Sequence, residues 1–202
     1  MHHITQIKTN DKYLVEQVLR GDNRAFETII RNTEHLVAQI VGKMVPVIED
    51  RKDLVQDIYL KTFHHLGTFK FQSKLSTWIA QISYNSCLSW LEKKKPLLPG
   101  NLHEGEDWPG YSTESQQNQS FTASESESLI FQKEMKSILH EEIKRLPAVY
   151  QTLIALFHHD SLSYQELTQI TGIPEGTVKS HLFRARKILK ENILSKYKKE
   201  AL

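Results

Sequence analysis

Apolar residues recur at three- and four-residue spacing along most of this chain, and strict alternation is rare, so the pattern predicts helices rather than strands. In the first half, a short helix over 12–20 is stopped by Gly21. Asp22 is placed to cap a second helix that runs to about 45 and buries Phe26, Ile29, Ile30, Leu36, Val37 and Ile40. Pro46 breaks it. A third helix begins near 49 with Glu49, Asp50 and Asp53 in its first turn, where the helix dipole favours acids, and ends at Gly67. Its core positions are Leu54, Ile58, Phe63 and Leu66. A basic, aromatic loop over 68–75 follows. Ser76 or Thr77 then caps a fourth helix that carries Trp78, Ile79, Ile82, Leu88 and Leu91 and runs out into Lys93, Lys94 and Lys95.

The second half repeats the helical pattern without repeating the sequence. A helix over about 125–145 stops at Pro147, and another spans 147 to about 158. Ser163 caps a short helix to Thr171, Gly172 allows a tight turn, and Pro174 sits where a helix readily begins. The last helix runs to about 194. The fold class is therefore all-α.

Between the halves the pattern fails. Residues 96–128 hold six acids (Glu104, Glu106, Asp107, Glu114, Glu125 and Glu127) and no Lys or Arg. The window carries −6, which leaves +8 on a remainder that the whole-chain net of +2 conceals. It includes the Ser-rich run STESQQNQSFTASESES, which cannot bury enough apolar area to offset its ordering entropy. Structureless loops beyond about 12–15 residues are uncommon inside compact domains. The division is thus a domain over 1–95, a flexible acidic linker over 96–128 and a second domain over 129–202.

Residues 163–190, SYQELTQITGIPEGTVKSHLFRARKILK, have the spacing of a DNA-binding helix-turn-helix. Leu167 and Ile170 face inward from the first helix. Val178, Leu182, Ala185 and Leu189 form the buried stripe of the second, at steps of four, three and four. Its opposite face then presents Lys179, Ser180, Phe183, Arg184, Arg186 and Lys187. Arg donates a fork to a guanine edge, Lys and Ser hold phosphates or bases, and thymine methyls give an outward Phe a reason. A helical hairpin with a solvated basic face is the bland alternative.

In the first half, Asp53, Gln56, Asp57 and Lys61 lie largely opposite the core stripe of the third helix and suit a basic partner helix, although for this helix viewed alone an ordinary solvated face is the better reading. Gln81, Asn85 and Ser89 align at four-residue steps on the fourth helix. The loop before it interleaves Phe69 and Phe71 with Lys70 and Lys74. Amides hydrogen-bond unpaired base edges and aromatics stack on them, so these residues fit a single strand with flipped-out bases. Core aromatics beside surface lysines read the same way.

Taken together, Asp53-Leu54-Val55-Gln56-Asp57, Ser76-Thr77-Trp78-Ile79, Tyr84-Asn85 and Pro174-Glu175-Gly176-Thr177-Val178-Lys179-Ser180 resemble the extracytoplasmic-function group of bacterial sigma-70 factors. The resemblance covers about 11–95 (region 2) and 130–195 (region 4). It implies a region 2 helical bundle and a region 4 helix-turn-helix joined by the linker. It implies that Asp53, Gln56 and Asp57 dock on the clamp helices of core RNA polymerase, and that region 4 meets the flap. Phe69, Lys70, Ser73, Lys74, Trp78, Gln81 and Asn85 match the loop and helix that melt the −10 element and capture a base. Lys179, Ser180, His181, Phe183, Arg184 and Lys187 match the helix that reads the −35 element as duplex. The linker is expected to thread toward the polymerase channel, and an anti-sigma factor to mask both domains. Asp57 stands where the family more often has Glu, Leu75 where Phe is frequent, and His181 where Arg is usual.

The other chemistry is sparse. Without a Gly-rich phosphate loop, HExxH or GxSxG, no enzyme is expected. The single cysteine, Cys87, excludes an internal disulfide and sits on the core side of its helix. Among ten histidines, His64-His65 and His158-His159 are adjacent pairs that point to different sides of a helix, so no metal and no cofactor are expected. The longest apolar stretch, 36–48, is interrupted by Gln39, Lys43 and Pro46, and the first residues lack a signal-peptide core, so a cytoplasmic protein without membrane insertion is expected. A helix-turn-helix regulator that binds duplex DNA as a dimer, and a helical adaptor with no DNA role, are the competing classes.

Overall fold

The structure, a computed structural model, describes residues 2–94 and 127–200, with side chains over 10–94 and 134–195. The acidic linker lies almost entirely outside the described residues. Every regular element among them is helical: α1 (His2–Leu19), α2 (Asn23–Met44), α3 (Ile48–His65), a 3-10 turn (Leu66–Thr68), α4 (Leu75–Lys94), α5 (Glu127–Lys144), α6 (Ala148–His158), α7 (Tyr164–Thr171) and α8 (Glu175–Glu200). None of them is long and apolar enough to cross a membrane.

Local chemistry sets the boundaries. Gly21 takes a left-handed φ of 96° after α1, and the Asp22 side chain accepts from the Arg24 N–H at 2.9 Å to cap α2. Between α3 and α4 the capping differs from the expectation at Ser76 or Thr77. The fourth helix starts at Leu75, whose N–H donates 2.9 Å to the Asp11 carboxylate of α1, so the cap comes from 64 residues away. At the start of α7, Ser163 and Glu166 form a reciprocal capping box, and Gly172 closes the helix at φ 71°.

Helices α1–α4 pack around Ile29, Val37, Ile40, Met44, Ile58, Leu66, Ile79 and Cys87, all essentially inaccessible. Each fully buried aliphatic of this size contributes roughly 1.5–3 kcal/mol through removal from water. Burial pushes the Cys87 thiol up to about 12, so it is a protonated packing group rather than a reactive thiol. The inner stripe of α3 is Leu54, Ile58 and Thr62, joined by Tyr59 and continued by Leu66 of the 3-10 turn. This corrects the expectation for Phe63. Steps of four place Thr62 inside, where its hydroxyl donates 2.8 Å to the Ile58 carbonyl. Phe63, one position on, is 43% exposed and meets Phe26 edge-on, with ring centroids 5.1 Å apart.

Helices α5–α8 pack around Leu153, Leu156, Leu167, Ile170, Val178, Leu182 and Ala185. Glu142 is fully buried and accepts from Arg145 at 2.9 Å and from Asn192 of α8 at 3.0 Å. The two blocks are not held apart. Helix α7 lies against α4, α6 lies against α2, and the buried side chains form one cluster across the seam.

Candidate nucleic-acid interface

Three groups of side chains carry the candidate chemistry. The first surrounds the loop between the 3-10 turn and α4. Phe69 is buried, with its ring 4.7 Å from Phe71 and 5.2 Å from Trp78. Phe71 holds φ 56°, a left-handed conformation that is strained for a bulky residue and persists only where packing enforces it. Phe69 and Trp78 wall a cavity of about 300 Å³ whose lining also includes Thr68, Lys70, Gln72, Ser73, Thr77, Gln81 and Gln169. Five of the seven residues expected around a captured base thus meet on one cavity: Phe69, Lys70, Ser73, Trp78 and Gln81. Lys74 turns away to α7, its Nζ lying 2.8 Å from Glu166 Oε1. Asn85 is exposed farther along α4 and does not line the cavity. Gln72 and Thr77 could have been found from their place in the loop and first helical turn. Gln169 left no sequence signal, because it arrives from α7, nearly ninety positions past Gln81.

The second group is the outer surface of α8. Lys179, Ser180, Phe183, Arg184 and Lys187 are all exposed, and Phe183 shows 67% of its surface. Lys179 is steadied by Glu175 at 2.6 Å and sits over the Tyr164 ring at 5.1 Å. The Glu175 bond raises its pKa, so it stays an ammonium. Arg186 on the same helix is tied down, its guanidinium donating to His158 Nε2 at 3.2 Å and stacking over Phe157. His181 does not share the open face. It is half-buried against Tyr150, with ring centroids 5.2 Å apart. Burial first, and then the nearby Arg184, push its pKa below the ordinary imidazole value, which favours the neutral ring.

The third group is on α3. Asp53, Gln56 and Asp57 are exposed on one side of the helix. Leu60 joins them at 57% exposure, three residues past Asp57 and four past Gln56. Sequence reasoning passed over it, although the same spacing rule places it there. An acidic strip beside an unpaired leucine fits a partner helix carrying both cations and an apolar ridge.

An all-helical pair of blocks with an exposed helix-turn-helix surface, an aromatic cavity and an acidic strip has the form of a DNA-binding transcription factor. Comparison narrows the class. The family described as "Sigma-70 region 2" matches residues 29–96, and "Sigma-70, region 4" matches 136–189. The chain is 30% identical over 186 residues to the ECF RNA polymerase sigma-E factor of Escherichia coli K12, covering 91% of this chain and 94% of that protein. It is 27% identical over 179 residues to the RNA polymerase sigma-H factor of Pseudomonas aeruginosa, covering 89% and 91%. Two solved structures share the fold. One is CnrH in complex with the cytosolic domain of CnrY (TM-score 0.60, 18% identity, 92% of this chain and 98% of that chain). The other is the sigma factor RpoE in complex with the anti-sigma factor NepR from Bartonella quintana (TM-score 0.57, 20% identity, 82% and 94%). The chain belongs to the extracytoplasmic-function group of sigma-70 RNA polymerase sigma factors. Such proteins direct transcription initiation and carry no catalytic chemistry of their own, so it is not an enzyme.

Proposed function

We propose that this sigma factor programmes core RNA polymerase by reading the −35 element as duplex through α8 and the −10 element as a melted strand through the aromatic cavity. The cavity carries the reading. It has two aromatic walls for stacking, Gln81 and Ser73 for base edges and Lys70 for the adjoining phosphate, all on one side of α4 and its preceding loop. Trapping a flipped base there offsets the few kcal/mol that unstacking costs. On α8, Lys179, Ser180, Phe183, Arg184 and Lys187 supply the major-groove contacts. His181, half-buried, acts by supporting the helix from behind. Asp53, Gln56 and Asp57, with Leu60, dock on the clamp helices of core polymerase, while region 4 meets the flap. The protein works in the cytoplasm with its polymerase.

Two domains that act at separate elements must part. Positions −10 and −35 are about 25 base pairs apart, roughly 85 Å at about 3.4 Å per step. A packed chain of this length has a radius of gyration of roughly 17 Å, so its diameter is about half that span. The packed arrangement is therefore the resting form, and a linker over 96–128 lets core polymerase set the working separation. An anti-sigma factor is the third partner. The two neighbouring structures were solved with a second chain bound, in one case an anti-sigma factor, which supports that role.

The test is run-off transcription by sigma-less polymerase over a library of promoter templates. Initiation that depends on this protein, with base preferences at both elements, is expected. Tight binding to closed duplex as a dimer without polymerase overturns the reading in favour of a conventional helix-turn-helix regulator.

A further inference from the structure

We propose that His35, His159 and Asp160 form a site for a divalent transition-metal ion, zinc being the probe of choice, that fastens the resting form across the seam between the two blocks. The three residues come from both sides. His35 lies on the exposed face of α2, and His159 is the C-cap residue of α6. Asp160 follows at once, in a turn where Ser161 takes a left-handed φ of 54° and the Leu162 N–H returns to the Leu156 carbonyl at 3.1 Å. That turn aims the Asp160 carboxylate back at α2, leaving its side chain only 13% exposed between two open imidazoles.

The spacing fits a metal. His35 Nδ1 is 3.6 Å and His159 Nδ1 is 3.7 Å from the same carboxylate oxygen, Asp160 Oδ1. All three ligand atoms lie within 4.8 Å of one another. Ligands at about 2.0–2.1 Å on a tetrahedral zinc stand about 3.3 Å apart, so the two histidine–carboxylate separations need close by only a few tenths of an ångström and the histidine–histidine separation by at most about 1.5 Å. The imidazole rings are nearly parallel, 16° apart with centroids at 5.3 Å. Both must turn about their side-chain torsions to aim their lone pairs at one point, which exposed rings do at little cost. Two histidines and one carboxylate are a borderline donor set that suits zinc, nickel or cobalt rather than calcium or magnesium, and three protein ligands leave a fourth position for solvent.

A supporting residue is already in place. With its amide oriented to donate, Gln39, one turn along α2 from His35, lies 3.0 Å from Asp160 Oδ2 and 3.2 Å from Oδ1. Such an outer contact orients the ligating carboxylate, and its loss weakens metal binding by roughly 10–100-fold. A bound ion would hold α2 to the turn after α6, and so region 2 to region 4.

The test uses the full chain without polymerase or DNA, so its outcome is independent of the promoter reading. Zinc is titrated calorimetrically into the wild type and into His35→Asn, His159→Asn, Asp160→Asn and Gln39→Leu, with the other histidines left in every protein and helicity checked by circular dichroism. The wild type is expected to bind one more equivalent than each of the three ligand variants, and Gln39→Leu to bind that equivalent at least tenfold more weakly. Urea unfolding is expected to show a zinc-dependent rise in midpoint for the wild type and none for His35→Asn or Asp160→Asn, one from each block. Equal binding by the wild type and the ligand variants, or binding without that stabilisation, overturns the proposal and leaves Asp160 as a carboxylate flanked by two histidines.

Discussion

Lys74 Nζ, at the end of the aromatic loop, lies 2.8 Å from Glu166 Oε1 at the start of α7, so a cation assigned to DNA is held by an acid of the other block. The same Glu166 accepts through Oε2 from the Ser163 N–H and hydroxyl, each at 2.9 Å. One carboxylate thus caps the first helix of the helix-turn-helix and anchors the seam. Burial alone would raise its pKa, but the bonds from Lys74 and Ser163 outweigh that and hold it below the usual carboxylate value.

Glu166→Ala is expected to lower stability by about 1 kcal/mol through the lost cap, and to loosen the seam. Because the folded-state pKa is depressed, this contribution is present above the unfolded carboxylate pKa and fades as pH falls through the lower folded value. The gap between wild type and variant, read from urea unfolding, should be full at pH 7 and shrink below about pH 4.5. A gap that does not change with pH would count against the paired carboxylate.

His181 gives a second pH dependence, in the histidine range. Its folded pKa is lowered by burial and by Arg184, so the unfolded state binds the proton more readily. Stability from this site is present above about pH 6.5 and is lost as pH falls. His158 shifts in the same direction, through burial and Arg186, so the effects add. Thermal melts between pH 8 and pH 5.5 should show a falling midpoint that flattens in part in His181→Gln.

Arg184 is exposed beside the open ring of Phe183 and is the residue we propose to meet a −35 base edge. Arg184→Ala is expected to reduce transcription from a cognate promoter and to relax preference at one −35 base, by about 1–3 kcal/mol for a lost bidentate contact. A −35 base profile identical to wild type in a promoter-variant assay would remove it from the reading set.

On α3, charge and apolar contact should separate. Asp57→Arg is expected to weaken capture of core polymerase with the fold intact, more strongly at low salt than at high salt. Leu60→Ala, at a 57% exposed position, should weaken capture with little salt dependence. Undiminished pull-down of core enzyme by both variants would move the docking surface elsewhere.

Much of this was legible in the order of residues, because helices are local. The stripe Val178, Leu182, Ala185 and Leu189 is set by steps of three and four, and it is buried as expected. Asp22, Ser163 and Gly172 act within a few residues of themselves, so their caps and turn could be read directly. Phe63 was misplaced because apolar character suggested burial where the four-residue step favoured Thr62. The cap on α4 was misplaced because Asp11 supplies it from a distant helix.

What no linear pattern held was the seam. Gln169 beside the aromatic cavity, Glu166 on Lys74 and Asp160 between His35 and His159 all join residues far apart in the chain. Adjacent histidines on one helix diverge, so the sequence pattern alone points away from a metal. That rule says nothing of a histidine brought in from another helix. Helical periodicity determines which face each segment buries, since it depends only on backbone geometry and side-chain polarity. Which faces then meet depends on the summed packing of all of them, so only the tertiary structure decided it.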